Sequence, residues 1–207
     1  MRFKYFLLPL LLWQHCYAGK IPNTYDAYIT EACKLYLEKL DCDWYKALLY
    51  TESLLNPNAT SQVGAAGIAQ IMPGTWAENA PKVNGATDPY KARASIRVGA
   101  FFLMRMILFW DDRRPGLERA FLGMASYNAG PGNILKAQRK CNQARTWAKI
   151  QPCLVKITGR HSKETTEYVD RIKTNFCRIK IDKGQGIWGL QYFRDNCNNL
   201  FSLGRKR

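Results

Sequence analysis

The sequence contains few of the side chains that bind transition metals or activate a thiol. It has two histidines, His15 and His161, and no Cys-x-x-Cys pair. Zinc sites need clustered cysteine and histidine ligands, and a cysteine nucleophile needs a histidine beside a free thiolate. The composition therefore argues against a zinc enzyme and against thiol catalysis, and it predicts neither a metal nor a cofactor.

The sequence also lacks long hydrophobic runs and the alternating pattern of β-strands. Beyond the N-terminal segment its most apolar run is residues 98–110, which is too short to span a bilayer and is interrupted by Arg105. Internal repeats and low-complexity linkers are absent as well. Apolar residues instead recur at helical spacing, which predicts a mainly α single domain with residues 98–110 in its central core helix.

The N-terminal segment, residues 1–18, has the features of a secretory leader. Arg2 and Lys4 precede a short apolar run, and the segment ends with small residues at the cleavage positions. We expect this leader to be removed on export, with an uncleaved anchor helix as the alternative. The main domain is then expected to span residues 19–180, and residues 181–207 to form a loop-rich C-terminal appendage with a basic tail.

Cysteine usage agrees with export. Seven cysteines are present, and six remain if the leader with Cys16 is removed. An even number of cysteines in an exported chain predicts a set of disulfides, although six permit fifteen pairings. Short loop closure favours three sequential pairs, Cys33–Cys42, Cys141–Cys153 and Cys177–Cys197, of which the last would hold the C-terminal appendage.

Acidic residues are in the minority. Lysine and arginine total 31 against 16 aspartates and glutamates, which gives a net charge of +15, or +13 after loss of Arg2 and Lys4 with the leader. Such an excess indicates an anionic partner. The aromatic residues are spread through the predicted helices and are not interleaved with the basic ones, so nucleic acid is not expected to be that partner.

The most distinctive stretch of the chain is residues 52–76, ESLLNPNATSQVGAAGIAQIMPGTW. Glu52 lies near the end of a predicted helix that Asn56 and Pro57 stop, since proline cannot continue a helix. The glycine-rich segment that follows carries no charged residue from 53 to 77. A carboxyl group facing such a segment loses solvation without a nearby cation, which raises its pKa as a general acid requires. A surface glutamate in a last helical turn is the alternative.

Three motifs follow one another along the chain. The first spans residues 52–75, the second is Ala-Ser-Tyr-Asn-Ala-Gly at residues 125–130, and the third is Glu-Thr-x-x-Tyr-Val at residues 164–169. Together they resemble the motifs of the lytic transglycosylases of the goose-lysozyme-like type, which cleave bacterial peptidoglycan. The resemblance covers about residues 43–172, and it implies a lysozyme-like fold and a periplasmic or secreted protein.

The resemblance implies a mechanism with a single acid/base residue, Glu52. This residue would protonate the glycosidic oxygen, the N-acetyl group of the muramoyl sugar would stabilise the positive charge, and Glu52 would then accept the C6 hydroxyl proton. The product would be a 1,6-anhydro sugar. Substrate assistance of this kind replaces the second carboxylate that most glycosidases use. For such a second acid Glu164 is a better candidate than Asp41 and Asp43, which look like helix-end residues.

Roles for three residues of the glycine-rich segment also come from the resemblance. Ser61 would help place the N-acetyl group, and Gln70 and Met72 would line the sugar groove. From the residues alone, Ser61 is equally a turn residue and Met72 a core side chain.

Three further positions belong to the second and third motifs. By the resemblance, Tyr127 would form a hydrogen bond near the acid, Asn128 would shape its loop, and Glu164 would hold the base of the site or bind substrate. The alternatives are a buried phenol with a backbone partner for Tyr127 and a first-turn residue that favours the helix dipole for Glu164.

Three functions remain open at this point. The chain is a lytic transglycosylase, a goose-type lysozyme that hydrolyses the same bond with water, or a non-catalytic wall-binding component of a secretion or phage assembly. The intact motif around Glu52 argues against the last. The expected partners are peptidoglycan glycan strands and anionic cell-wall polymers, with a secretion, conjugation or phage assembly as a further candidate, and we expect a monomer.

Overall fold

The computed structural model describes residues 19–110, 113–114 and 117–184. The predicted leader and nearly all of the predicted C-terminal appendage, from residue 185 onward, lie outside the described residues. The described part contains eight α-helices, and its two β-bridges, which join Ala66 to Thr60 and to Ile71, are isolated. The predicted mainly α fold is confirmed.

Most of the helices follow one another with short connections, and the longest described connection is the glycine-rich segment between α2 and α3. In chain order they are α1 (Asp26–Tyr36), α2 (Cys42–Ser53), α3 (Pro73–Asn79), α4 (Ala92–Leu108), α5 (Glu118–Ala129), α6 (Pro131–Lys140), α7 (Trp147–Thr158) and α8 (His161–Asp182). A short 3-10 turn, Ala80–Lys82, follows α3. Within the described ranges, none of these helices combines the length and the hydrophobicity that a membrane span requires.

Helix α2, which carries Glu52, has seven consecutive buried residues, as many as α5 has. Residues 43–49 of α2 are all buried, and Trp44 stacks on Phe176 of α8 with ring centroids 3.8 Å apart. The sequence pattern placed the central helix at residues 98–110 instead. Residues 98–108 of that run belong to α4, which packs against α1 and α5 and leaves Leu108 60% exposed at its C-terminal end.

Helix α8 runs antiparallel to α2 and is tied to it near both ends. Lys180 lies 2.6 Å from Asp43 at the start of α2, and Asn175 donates a hydrogen bond of 3.0 Å to Thr51 near its end. Burial by itself would raise the pKa of Asp43, but hydrogen bonds from Lys180 and Lys183 outweigh it and lower that pKa. These contacts fix the register in which α8 passes the end of α2.

Two of the predicted disulfides are confirmed. Cys33 is bonded to Cys42, which links α1 to α2, and Cys141 is bonded to Cys153, which links α6 to α7. Cys177 is also disulfide-bonded, and its partner lies outside the described residues. The pairing of Cys177 with residue 197 therefore stays a prediction.

Candidate active site

Glu52 lies in the last turn of α2, where the chain reverses sharply. Leu54 and Leu55 both adopt left-handed backbone conformations, with φ of +56° and +63°, so the helix ends before the predicted proline stop. The hydroxyl of Ser53 then donates a hydrogen bond of 2.8 Å to the carbonyl of Ile68. This bond holds the glycine-rich segment against the end of the helix, at the residue next to Glu52.

The glycine-rich segment is a tight loop that admits no side chain at one point. Gly67 has a φ of +73°, and a Cβ built there would lie 1.9 Å from the carbonyl oxygen of Pro89. Glycine is the residue that tolerates both this conformation and this approach. The contact fixes the loop against the segment that leads into α4.

The carboxyl group of Glu52 lies among groups contributed by α2, α5 and α8. The Tyr168 hydroxyl of α8 donates a hydrogen bond of 2.5 Å to its Oε1 atom. Burial raises the pKa of Glu52 to about 7; the hydrogen bond from Tyr168 and the charge of Arg171 oppose this rise, and the charge of Glu164 adds to it. The uncharged loop predicted the direction of this shift. The absence of a nearby cation was also predicted, and this was wrong, because α8 brings Arg171 close.

Two other tyrosines stand near Glu52 and bond to backbone. Tyr127 donates to the carbonyl of Ala69 at 2.7 Å, and Tyr45 donates to the carbonyl of Ile96 at 2.5 Å. Burial raises the pKa of both phenols, and the charge of Glu52 raises it further. The hydroxyl of Tyr127 therefore binds the backbone of the glycine-rich loop, as in the alternative of a phenol with a backbone partner. Tyr127 also lies close enough to Glu52 for their charges to interact.

The three predicted site residues of the loop have different environments. The Ser61 hydroxyl accepts a hydrogen bond of 2.9 Å from a backbone N–H of its own turn. The side-chain amide of Gln70 donates to two loop carbonyls at 3.1 and 2.9 Å. Both side chains therefore brace the loop. Met72 is 42% exposed at the start of α3, so the alternative of a core side chain does not apply.

Asn128 and Glu164 lie where α5 meets the start of α8. The Asn128 side-chain oxygen accepts a hydrogen bond of 2.8 Å from the Thr165 hydroxyl. Glu164 is exposed, and its carboxylate lies 4.0 Å from the ring of His161. Glu164 therefore lies close enough to Glu52 for its charge to raise the pKa of the acid. Asn128 links α5 to α8 through its hydrogen bond with Thr165.

Sequence reasoning missed Tyr168 and Arg171 as neighbours of the acid. Tyr168 stands in the third motif, but its place beside Val169 and four residues before Ile172 is that of a core residue. Its position four residues after Glu164 could have found it, since residues at that spacing share a helix face. Arg171 has no comparable signal, because single arginines on exposed helix positions are common.

This arrangement suits proton transfer by one carboxyl group. With a pKa of about 7, Glu52 is present in both its protonated and its ionised form near neutral pH, as a residue that serves first as acid and then as base requires. Within the described part of the chain, no cluster of three or more His, Cys, Asp or Glu side chains could hold a metal ion.

Comparison with known protein families identifies the family to which this chain belongs. A family model described as the transglycosylase SLT domain matches residues 34–150, which is more than half of the 207 residues. The chain belongs to this family. It is 33% identical over 170 residues to the membrane-bound lytic murein transglycosylase F of Pseudoalteromonas translucida, and 31% identical over 173 residues to that of Shewanella halifaxensis. These alignments cover 73% and 80% of this chain, and in each case 35% of the relative.

The SLT-domain chain thus spans about a third of the length of the curated relatives it matches. Among solved structures, the 70 kDa soluble lytic transglycosylase of Escherichia coli superposes with a TM-score of 0.61 at 23% identity. An inactive mutant of the lytic transglycosylase Slt of Pseudomonas aeruginosa superposes with a TM-score of 0.63, also at 23% identity. Each covers 79% of this chain and 25% of the solved chain. The lysozyme-like fold predicted from the motifs is confirmed.

Proposed function

We propose that this SLT-domain chain is a lytic transglycosylase that cleaves the β-1,4 bond between MurNAc and GlcNAc in peptidoglycan. The observation that carries the proposal is the carboxyl group of Glu52, whose pKa burial raises to about 7 beside the glycine-rich loop. Family membership supports the same reaction, since the relatives are named lytic murein transglycosylases. The disulfides support export to an oxidising compartment.

The reaction needs one proton that leaves Glu52 and returns to it. Glu52 gives its proton to the glycosidic oxygen as the bond from that oxygen to C1 breaks. The carbonyl oxygen of the substrate's N-acetyl group shares an electron pair with C1 and so offsets the positive charge. The Glu52 carboxylate then takes the C6 hydroxyl proton while the C6 oxygen bonds to C1 and the N-acetyl oxygen leaves C1 with its electron pair, which closes the 1,6-anhydro ring without consuming water.

The surrounding residues support these steps. The hydrogen bond from Tyr168 stabilises the carboxylate that exists between the two proton transfers. Ser61 and Gln70 keep the glycine-rich loop in place through the hydrogen bonds described above. Met72 at the start of α3 supplies exposed apolar surface to a bound sugar, and Glu164 at the start of α8 supplies an exposed polar contact.

Replacement of the acid tests the assignment of Glu52. The variant Glu52→Gln keeps the shape of the side chain but has no transferable proton, so cleavage of purified sacculi should fall by roughly 10²–10⁴-fold. Wall binding should persist. The control is Glu78→Gln, which neutralises an exposed glutamate on α3 that pairs with Arg105 and should keep the wild-type rate. If the Glu52→Gln variant retained a substantial rate of cleavage, Glu52 would not be the general acid.

Mass spectrometry of the released fragments tests the reaction type. A 1,6-anhydro end has one water less than a reducing end, and we expect anhydro ends. Reducing ends would instead show that water takes the place of the C6 hydroxyl, and the chain would then be a goose-type lysozyme with the same acid.

A further inference from the structure

One segment of the chain carries charge of a single sign. Residues 119–163 include nine lysines and arginines and no aspartate or glutamate. They form most of α5 and the hairpin of α6 and α7, which the disulfide between Cys141 and Cys153 closes. Six of the nine lie in this hairpin, which therefore carries positive charge only.

Three of these cations share one side of α6. Lys136, Arg139 and Lys140 lie at helical spacings of three and four, so they project from the same face, and all three are exposed. We call them the basic α6 face. No ion pair between described residues involves any of them. Like charges at these spacings destabilise a helix, and an anionic ligand would relieve this repulsion.

The basic α6 face belongs to the helix that directly follows the second motif, which the candidate active site includes through Tyr127. Helix α6 begins at Pro131, directly after the second motif, and the side chain of Asn133 donates a hydrogen bond of 2.9 Å to the carbonyl of Ala129 at the end of α5. At 1.5 Å of rise per residue, Lys136 and Lys140 lie about 8 and 14 Å along the helix from Pro131. A polymer that occupies the site is long enough to reach them.

The ligand that fits this position is anionic and polymeric. Peptidoglycan strands carry carboxylates on their peptide stems at regular intervals. A membrane surface fits less well, because interfacial helices insert large apolar side chains and none of the large hydrophobic side chains exposed in the described residues belongs to α6. We propose that the basic α6 face binds peptide-stem carboxylates of the same strand whose glycosidic bond lies at Glu52. This inference rests on the proposed function.

The test compares two triple variants of equal net charge. One replaces Lys136, Arg139 and Lys140 of the basic α6 face by glutamine; the control replaces Lys20, Lys34 and Lys39, which are also exposed, in the same way. Glutamine is a good helix former, and equal thermal unfolding midpoints check that both variants fold. Binding is measured as the Kd for fluorescent, uncrosslinked peptidoglycan strands in the Glu52→Gln background, so that no strand is cleaved.

The ligand chemistry is tested with strands whose carboxylates have been converted to neutral amides. We expect the Lys136→Gln, Arg139→Gln, Lys140→Gln variant to bind native strands about tenfold more weakly, as three exposed charge pairs allow. The control variant should change by less than about twofold. On amidated strands both variants should match the parent.

Three results would overturn the inference. Equal weakening by both variants would show an effect of net charge alone, and an undiminished effect on amidated strands would rule out carboxylates. Loss of binding to phosphatidylglycerol vesicles with unchanged binding to strands would make the face a membrane contact. Cleavage of the native strands by the wild-type chain is scored separately, so failure of the proposed function is distinguished from failure of this inference.

Discussion

At the scale of single residues, the burial that raises the pKa of Glu52 also opposes folding. The carboxyl group has a pKa of about 7 in the folded chain against a reference value of 4.5. Between these values the folded state binds more protons than the unfolded state, so stability falls as the pH rises through this window. Each unit of pH is worth about 1.4 kcal/mol, and the accumulated cost above pH 7 is on the order of 3 kcal/mol.

The variant Glu52→Gln should therefore be more stable than the wild type in alkaline solution. At pH 8 we expect its free energy of unfolding to be higher by up to about 3 kcal/mol, and at pH 4.5 to be close to that of the wild type. Urea unfolding of both proteins at the two pH values measures the difference. A gain in stability that did not depend on pH would show that the folded carboxyl group titrates like an unfolded one.

The hydrogen bond from Tyr168 makes a second prediction about the same carboxyl group. This bond lowers the pKa of Glu52, so the variant Tyr168→Phe should raise it. The midpoint of the alkaline limb of kcat/KM, which reports the free enzyme, should move to higher pH, and the rate should fall by about tenfold with loss of a bond to a charged group.

The control for Tyr168→Phe is Tyr45→Phe. Tyr45 donates to the carbonyl of Ile96 and not to the acid, so its loss should reduce stability and leave the midpoint in place. An unmoved midpoint in Tyr168→Phe would contradict the coupling between the two side chains.

At the scale of elements, the sequence predicted what lies close together along the chain. The glycine-rich segment directly follows Glu52, so its lack of charge and its tight turns could be connected with the acid from spacing alone. Helix α8 begins more than a hundred residues later. Its approach depends on the ion pair of Lys180 with Asp43 and on the stacking of Phe176 on Trp44, which no local pattern encodes. Tyr168 and Arg171 were missed for this reason.

The glycine-rich loop and α3 each contain a glycine, and the two offer a matched pair of substitutions. Gly67→Ala puts a methyl group against the carbonyl of Pro89 at a positive φ, and it should cost about 2–4 kcal/mol of stability and displace the loop from Glu52. Gly74→Ala lies in α3 with nothing within 4 Å of the added methyl group, so it should be neutral or slightly stabilising. Thermal unfolding and cleavage rates of both variants check this, and equal losses would mean that the loop is not held as described.

At the scale of the whole molecule, the net charge of the chain acts over longer distances than the contacts within the candidate active site. The chain carries +15, an excess that favours attraction to an anionic partner before any specific contact forms. At Glu52, by contrast, the carboxyl group accepts a short hydrogen bond from the hydroxyl of the buried Tyr168. Salt screens the first kind of interaction strongly and the second only weakly.

Binding and turnover should therefore respond differently to salt. Screening shortens the reach of exposed charges from about 10 Å at 0.1 M salt to about 3 Å at 1 M, so the Kd for whole sacculi should rise at least about tenfold across this range. The kcat for a short soluble glycan without peptide stems should change by less than about twofold, because the burial and the hydrogen bond that dominate the pKa of Glu52 are only weakly affected by salt. Co-sedimentation with sacculi and a product assay on the glycan measure the two quantities under the same conditions. If the kcat fell in parallel with binding, the positive charge would take part in catalysis at the site and would not serve only to attract the substrate.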